Sequence, residues 1–222
     1  PGIEAGHGGP GPRGPSEAVS VQQIDSDYPA ASGKTSGFFR TGQAADLMLS
    51  GIGCNETGGP LLFNHPAGIA TDGTRLFLAD TYNNRVLIWS KLPDGNVEPD
   101  LVLGQKDFRT NAPGSGRSDL NFPITVASDG KRILVADTEN HRILVWNECP
   151  KENGAPADLV LGGDAPRGGL RKDRIQWPWG VWSDGTKIAV SNTRGSSVLI
   201  WSAFPTEDGQ PADIVLTGGG KL

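Results

Sequence analysis

One segment recurs three times along the chain. "HPAGIATDGTRLFLADTYNNRVLIW" starts at His65, "FPITVASDGKRILVADTENHRILVW" at Phe122 and "WPWGVWSDGTKIAVSNTRGSSVLIW" at Trp177. The prolines at 66, 123 and 178 lie 57 and 55 residues apart. Each copy continues through a Gly/Pro-bearing linker into a further apolar run: "PDLVLGQ" from Pro99, "ADLVLGG" from Ala157 and "ADIVLTG" from Ala212. "ADLMLSG" at Ala45 repeats that last run alone. Repetition this regular means units that stack, each burying a face on its neighbour.

Reading one unit gives its shape. Residues 67–71 form a short strand, and Asp72-Gly73 is a turn dipeptide, repeated as Asp129-Gly130 and Asp184-Gly185. Glycine accepts the positive φ that tight hairpins require. Residues 75–79 form a second strand, "DTYNNR" a corner, Val86–Trp89 a third strand and Leu101–Leu103 a fourth. Four antiparallel strands per repeat is the arithmetic of a β-propeller blade. The expected fold is therefore all-β: three full blades plus a partial one. One blade cannot bury both faces alone.

The motif Pro-x-Gly-Ile/Val-Ala-x-Asp-Gly, followed by "LFLADTYNNRVLIW", resembles the NHL-repeat β-propellers. It is most similar to the long-repeat microbial form that ends each blade in "ADLVLGQ". The resemblance covers about residues 42–219. It weakens in the third copy, where Asn192 replaces the Asp and Gly195-Ser196-Ser197 replaces Asn-Asn-Arg. Residues 1–41 read as a Gly/Pro-rich arm and a degenerate segment, and 42–222 as the blades. The family implies six blades, so this chain reads as half of a ring or as a fragment. A second chain, or missing blades, would complete it. Self-closure through a degenerate blade at residues 17–40 is the alternative.

Charge narrows the partners. Twenty Lys and Arg against 25 Asp and Glu give a net charge of −5, with no basic run beyond "RKDR" at 171–174. That argues against binding to phosphate backbones. No run approaches the roughly 18 apolar residues of a membrane span. The two cysteines, Cys54 and Cys149, form no CxxC motif, and the repeat pattern sets them at different ends of a blade. An intrachain disulfide is not expected; Cys149 occupies an apolar slot before a proline.

Asp80, Asn84, Arg85, Asp137 and Arg142 recur at fixed positions of the corner. Catalytic groups rarely repeat in every unit, whereas turn chemistry does, so these are read as structural. Asp and Asn side chains bond nearby backbone N–H groups, and Arg can pair with the Asp. The joint loss of Asp and Arg in the third copy fits a paired role. Trp89, Trp146 and Trp201 end the third strands and read as inter-blade packing; His141, in an Asn slot, reads as a surface turn residue.

The candidate ligand-binding residues are those where the copies differ: His65, Phe122 and Trp177, each before the repeat's proline, with Trp179 beyond. Trp177 and Trp179 share one side of a strand by alternation and could stack a sugar, peptide or cation. The resemblance also raises a metal site, since related lyases hold zinc through histidines over the channel. Only His65 stands at that place, and zinc needs three or four ligands. No catalytic residue, metal or cofactor is therefore assigned. The expected function is a non-enzymatic binding or scaffolding module for a protein or glycan ligand. A secreted or cell-surface setting, extracellular or periplasmic, is the one the resemblance implies. The rival is a metal-dependent lyase or hydrolase at the channel mouth.

Overall fold

The computed structural model describes residues 45, 47–49, 59–163, 171–218 and 220–221. The 1–41 arm with its candidate blade at 17–40, His7 and Cys54 lie outside the described residues.

Three antiparallel sheets follow one another in chain order. Blade 1 comprises β1 (Pro66–Thr71), β2 (Leu76–Asp80), β3 (Arg85–Trp89) and β4 (Leu101–Leu103). Blade 2 comprises β5 (Pro123–Ser128), β6 (Ile133–Asp137), β7 (Arg142–Trp146) and β8 (Leu159–Gly162). Blade 3 comprises β9 (Pro178–Ser183), β10 (Ile188–Asn192), β11 (Ser197–Trp201) and β12 (Ile214–Thr217), with β13 (Gly220–Lys221) added outside β12. No α-helix occurs among the described residues. This is a partial β-propeller.

The first hairpin of each blade is longer than the Asp-Gly dipeptide suggests. Thr71 pairs directly with Leu76, so residues 72–75 all lie in the connection. The Asp72 carboxylate accepts the N–H groups of Thr74 and Arg75 at 3.0 and 2.7 Å. Asp129 and Asp184 repeat this in blades 2 and 3. Gly73, Gly130 and Gly185 carry the positive φ, at 89°, 92° and 88°.

Each inner strand opens with a bulge: the register shifts between Pro66 and Gly68, between Pro123 and Thr125, and opposite Ser191 and Asn192. Bulges re-aim the chain at a strand end. The strands β1, β5 and β9 then lie side by side in that order. Blade 1 meets blade 2 at Gly68, where an added Cβ would stand 2.5 Å from the Ile124 carbonyl oxygen.

The cores lie between blades. One buried cluster joins Phe77, Val86 and Ile88 of blade 1 to Val126, Ile133 and Val135 of blade 2. A second joins Leu134, Ile143 and Val145 of blade 2 to Val181, Ile188 and Val190 of blade 3. Trp89, Trp146 and Trp201 are buried, and each donates its indole N–H to a linker carbonyl: Val97, Ala155 and Gln210, at 2.9, 3.0 and 2.9 Å. That satisfies the one polar atom of a large apolar side chain. Cys149 is a half-buried free thiol packed against the first of these clusters.

Candidate functional site

The corner between the second and third strands is a hydrogen-bonded node. Asp80 Oδ1 accepts the Asn64 N–H at 2.7 Å, and Oδ2 accepts Asn83 Nδ2 at 2.9 Å and Arg85 Nε at 2.8 Å. Arg85 also donates to the carbonyls of Phe108, Gly59 and Leu62. Both side chains are fully buried. Blade 2 repeats the node: Asp137 accepts the Asn121 N–H, Asn140 and Arg142, and Arg142 reaches the Ser115, Gly116 and Asp119 carbonyls.

Blade 3 solves the same problem without charge. Asn192 Oδ1 accepts the Gln176 N–H at 2.6 Å. Its Nδ2 donates to Ser197 Oγ at 3.0 Å and to the Arg174 carbonyl at 3.2 Å. The amide supplies the donor that arginine supplies elsewhere, so no buried carboxylate is left without a counter-charge.

The fifth corner residue links one blade to the next. Asn84, with φ 51°, accepts the N–H of Phe122 on its Oδ1 at 2.8 Å. His141, with φ 58°, accepts the N–H of Trp177 on Nδ1 at 3.1 Å. His141 is thus an inter-blade latch as well as a turn residue. Its acceptor role requires an unprotonated Nδ1.

His65, Phe122 and Trp177 are themselves left-handed, with φ of 50°, 58° and 54°. Each precedes a proline, which disfavours the right-handed helical region. Non-glycine residues held this way cost on the order of 1–3 kcal/mol each. The conformation sets each side chain beside the third residue of a corner, and that residue differs in every blade: Tyr82, Glu139 and Arg194.

A ledge of two contact groups results. His65 and Tyr82 rings lie 4.3 Å apart, and Tyr82 meets Phe122 edge-on at 5.2 Å. Trp177 donates its indole N–H to Glu139 Oε1 at 2.9 Å, and the Arg194 guanidinium lies 4.2 Å from the Trp177 ring centroid. Trp179 stands 5.8 Å from Trp177. Tyr82 and Trp179 are 51% and 49% exposed, so the ledge faces solvent.

The four sequence candidates therefore fall in these two groups, His65 and Phe122 joined through Tyr82, and Trp177 beside Trp179. Sequence reasoning passed over Tyr82, Glu139 and Arg194, which sit inside a motif read as structural throughout. Their signal was visible: one corner position carries three unlike residues. Trp182 belongs elsewhere. Its register position is that of Ala70 and Ala127, whose side chains pack toward the next blade. Among the described residues no group of three or more His, Cys, Asp or Glu side chains could hold a metal ion. His65 instead pairs its Nδ1 with Asn64 Oδ1 at 2.8 Å.

Comparison with known proteins gives a consistent result. The NHL repeat model matches residues 120–146, which take in the first three strands of blade 2. The chain is 29% identical over 159 residues to human NHL repeat-containing protein 2 and 31% identical over 154 residues to the chicken protein of that name. Each alignment takes in 65% of this chain, which spans 19% of the relative's length. The chain carries an NHL repeat and is similar to these NHL repeat-containing proteins over its blades.

Proposed function

We propose that this chain is a binding or scaffolding module whose contact surface is the ledge of His65, Tyr82, Phe122, Glu139, Trp177, Trp179 and Arg194. The observation that carries this reading is a division of labour between repeat positions. The corner Asp and Arg shared by blades 1 and 2 are buried and hydrogen-bonded within the fold; the residue before each repeat proline and the third residue of each corner differ in every blade and bring aromatic rings together at the surface. Aromatic faces flanked by a carboxylate and a guanidinium suit a peptide or a glycan. Propellers host both enzymes and binders. The closer likeness to the long-repeat microbial form, and with it an extracellular or periplasmic setting, forms part of the proposal.

A peptide and glycan array tests it. Hits on the wild-type chain should weaken at least tenfold in Trp177→Ala and Trp179→Ala while the melting temperature stays put. Unchanged binding in both variants sinks the ledge as the contact surface.

A further inference from the structure

We infer that His141 is a pH-sensitive latch on the ledge: a proton on its imidazole releases Trp177, and with it the group that Trp177 forms with Trp179, while the group around Tyr82 and Phe122 stays held. The latch stands on the junction of blades 2 and 3 by itself. Only its consequence for binding rests on the ledge being the contact surface.

The fifth residue of every corner is left-handed, at φ 51° for Asn84, 58° for His141 and 46° for Ser196. Asn and His enter that region more readily than most residues with a Cβ. In the first two corners the conformation hangs a side-chain acceptor over the start of the next blade. The two acceptors differ in kind. Asn84 offers an amide oxygen, which keeps its lone pairs throughout the neutral range. His141 offers the lone pair of Nδ1, and a backbone N–H can only donate to it, so the bond requires the neutral ring. Imidazole is the side chain whose ordinary charge change falls between about pH 5 and 8. Once protonated it carries N–H on both nitrogens, and the Trp177 N–H then faces a donor.

The latch holds a strained residue. Trp177, a bulky side chain at φ 54°, sits where few residues other than glycine do. Its other ties run to exposed partners: the indole N–H to Glu139 Oε1, and the ring to the Arg194 guanidinium. The bond to His141 is part-buried and is the one that holds the Trp177 backbone N–H. Without it the residue relaxes toward the extended backbone that Pro178 favours. That movement re-aims the Trp177 ring and takes it from Trp179, 5.8 Å away. Phe122, latched by Asn84, has no such response.

The charged side chains on the elements around His141 are Asp119, Asp137, Glu139, Arg142, Arg174 and Arg194. Arg142 pairs with Asp137, Asp119 accepts the Gly116 N–H, and Glu139 and Arg194 are engaged with Trp177. Burial raises the Asp137 carboxyl, against the pull of Arg142 and the hydrogen bonds from Asn121, Asn140 and Arg142. Asp137 therefore titrates nearer the histidine range than an ordinary carboxyl does, and the experiment must separate the two.

The test is two-dimensional NMR of the full chain, labelled with 15N-tryptophan in one sample and 15N-phenylalanine in another, between about pH 8 and 5. Trp177→Phe and Phe122→Leu assign the two amides by the loss of a signal. The Trp177 amide should move along a one-proton curve, and its hydrogen-exchange protection factor should fall at least about tenfold. The Phe122 amide should keep both its position and its protection. The imidazole C–H signals of His141 should titrate with the same midpoint as the Trp177 amide. In His141→Asn, which keeps an acceptor as well as Asp137 and Glu139, the Trp177 amide should stay steady across the range. A wild-type Trp177 amide that does not respond above about pH 5, a midpoint unlike that of His141, or a response that persists in folded His141→Asn overturns the latch. No ledge ligand enters this readout, so failure of the latch and failure of the ledge as a contact surface are told apart.

Discussion

Arg142→Ser, made alone and together with Asp137→Asn, probes how the corner holds a blade. Arg142 Nε lies 2.6 Å from Asp137 Oδ2, and the guanidinium also donates to three carbonyls. Asp137 has no solvent exposure. Removing the arginine strands that carboxylate, and breaking a buried pair costs about 3–5 kcal/mol. For a chain of this size, about 2–4 °C of melting temperature goes with each kcal/mol, so the single variant should melt roughly 6–20 °C lower. Asp137→Asn alone turns an amide N–H toward two donors, Arg142 Nε and Asn140 Nδ2, and leaves a buried cation; its cost should be similar. The double variant writes the blade-3 solution into blade 2, with Asn and Ser where Asn192 and Ser197 stand. It still forfeits three guanidinium–carbonyl bonds, at about 1 kcal/mol each or less where water can replace them. The double should therefore cost at least about 2 kcal/mol less than the sum of the singles. Urea unfolding followed by tryptophan fluorescence reads all four corners of the cycle. Additive losses would refute the claim that Asp and Arg were lost together in blade 3 because they act as one unit.

Other substitutions address the blade contacts and acid stability. Gly68→Ala places a Cβ 2.5 Å from the Ile124 oxygen and 2.9 Å from Thr125 Cα, both backbone; calorimetry should show a loss of about 1–3 kcal/mol, and a neutral result would contradict the close approach of blades 1 and 2. His141→Asn should melt within about 2 °C of wild type, since asparagine makes the same latch at position 84, whereas His141→Leu should cost about 1–2 kcal/mol through the unpaired Trp177 N–H. Equal melting of the two variants would remove the latch. Partial burial works to raise the Asp72 and Asp129 carboxyls, but the backbone N–H groups they accept, and Arg75 and Arg132, hold both below the ordinary value. Two backbone N–H groups, those of Lys187 and Thr186, lower Asp184 likewise. A lowered folded pKa stabilises above the unfolded value, so this contribution is intact above about pH 4 and lost as pH falls through the lowered values. Melting curves between about pH 5 and 2 should show it, with a shallower acid limb when all three are alanine; an unchanged limb would deny the turns that role.

The blades were legible because the repeat aligns three copies, and agreement among them separates strand from turn. The hairpin length was not: Asp72-Gly73 reads as a two-residue turn, but the carboxylate caps two further N–H groups and keeps Thr74 and Arg75 in the connection. Inter-blade chemistry was hidden for a different reason. Whether His141 faces solvent or the next blade depends on register and stacking, which no single unit records. The same holds for Trp182, whose place on a sheet face follows only from its cross-strand partner Ala189. His65, Phe122, Trp177 and Trp179 were found because the copies differ there. Tyr82, Glu139 and Arg194 differ as well, but sat within a motif whose other members hold the corner.

The separation of holding positions from contact positions is tested most directly by titrating one array-selected ligand, by calorimetry, against two double variants. Trp177→Ala/Trp179→Ala should lose at least tenfold in affinity at an unchanged melting temperature. Asp137→Asn/Arg142→Ser should melt lower yet, below its transition, bind as wild type does. The reverse pattern, binding lost at the corner of a folded protein and kept without the tryptophans, would contradict the central claim.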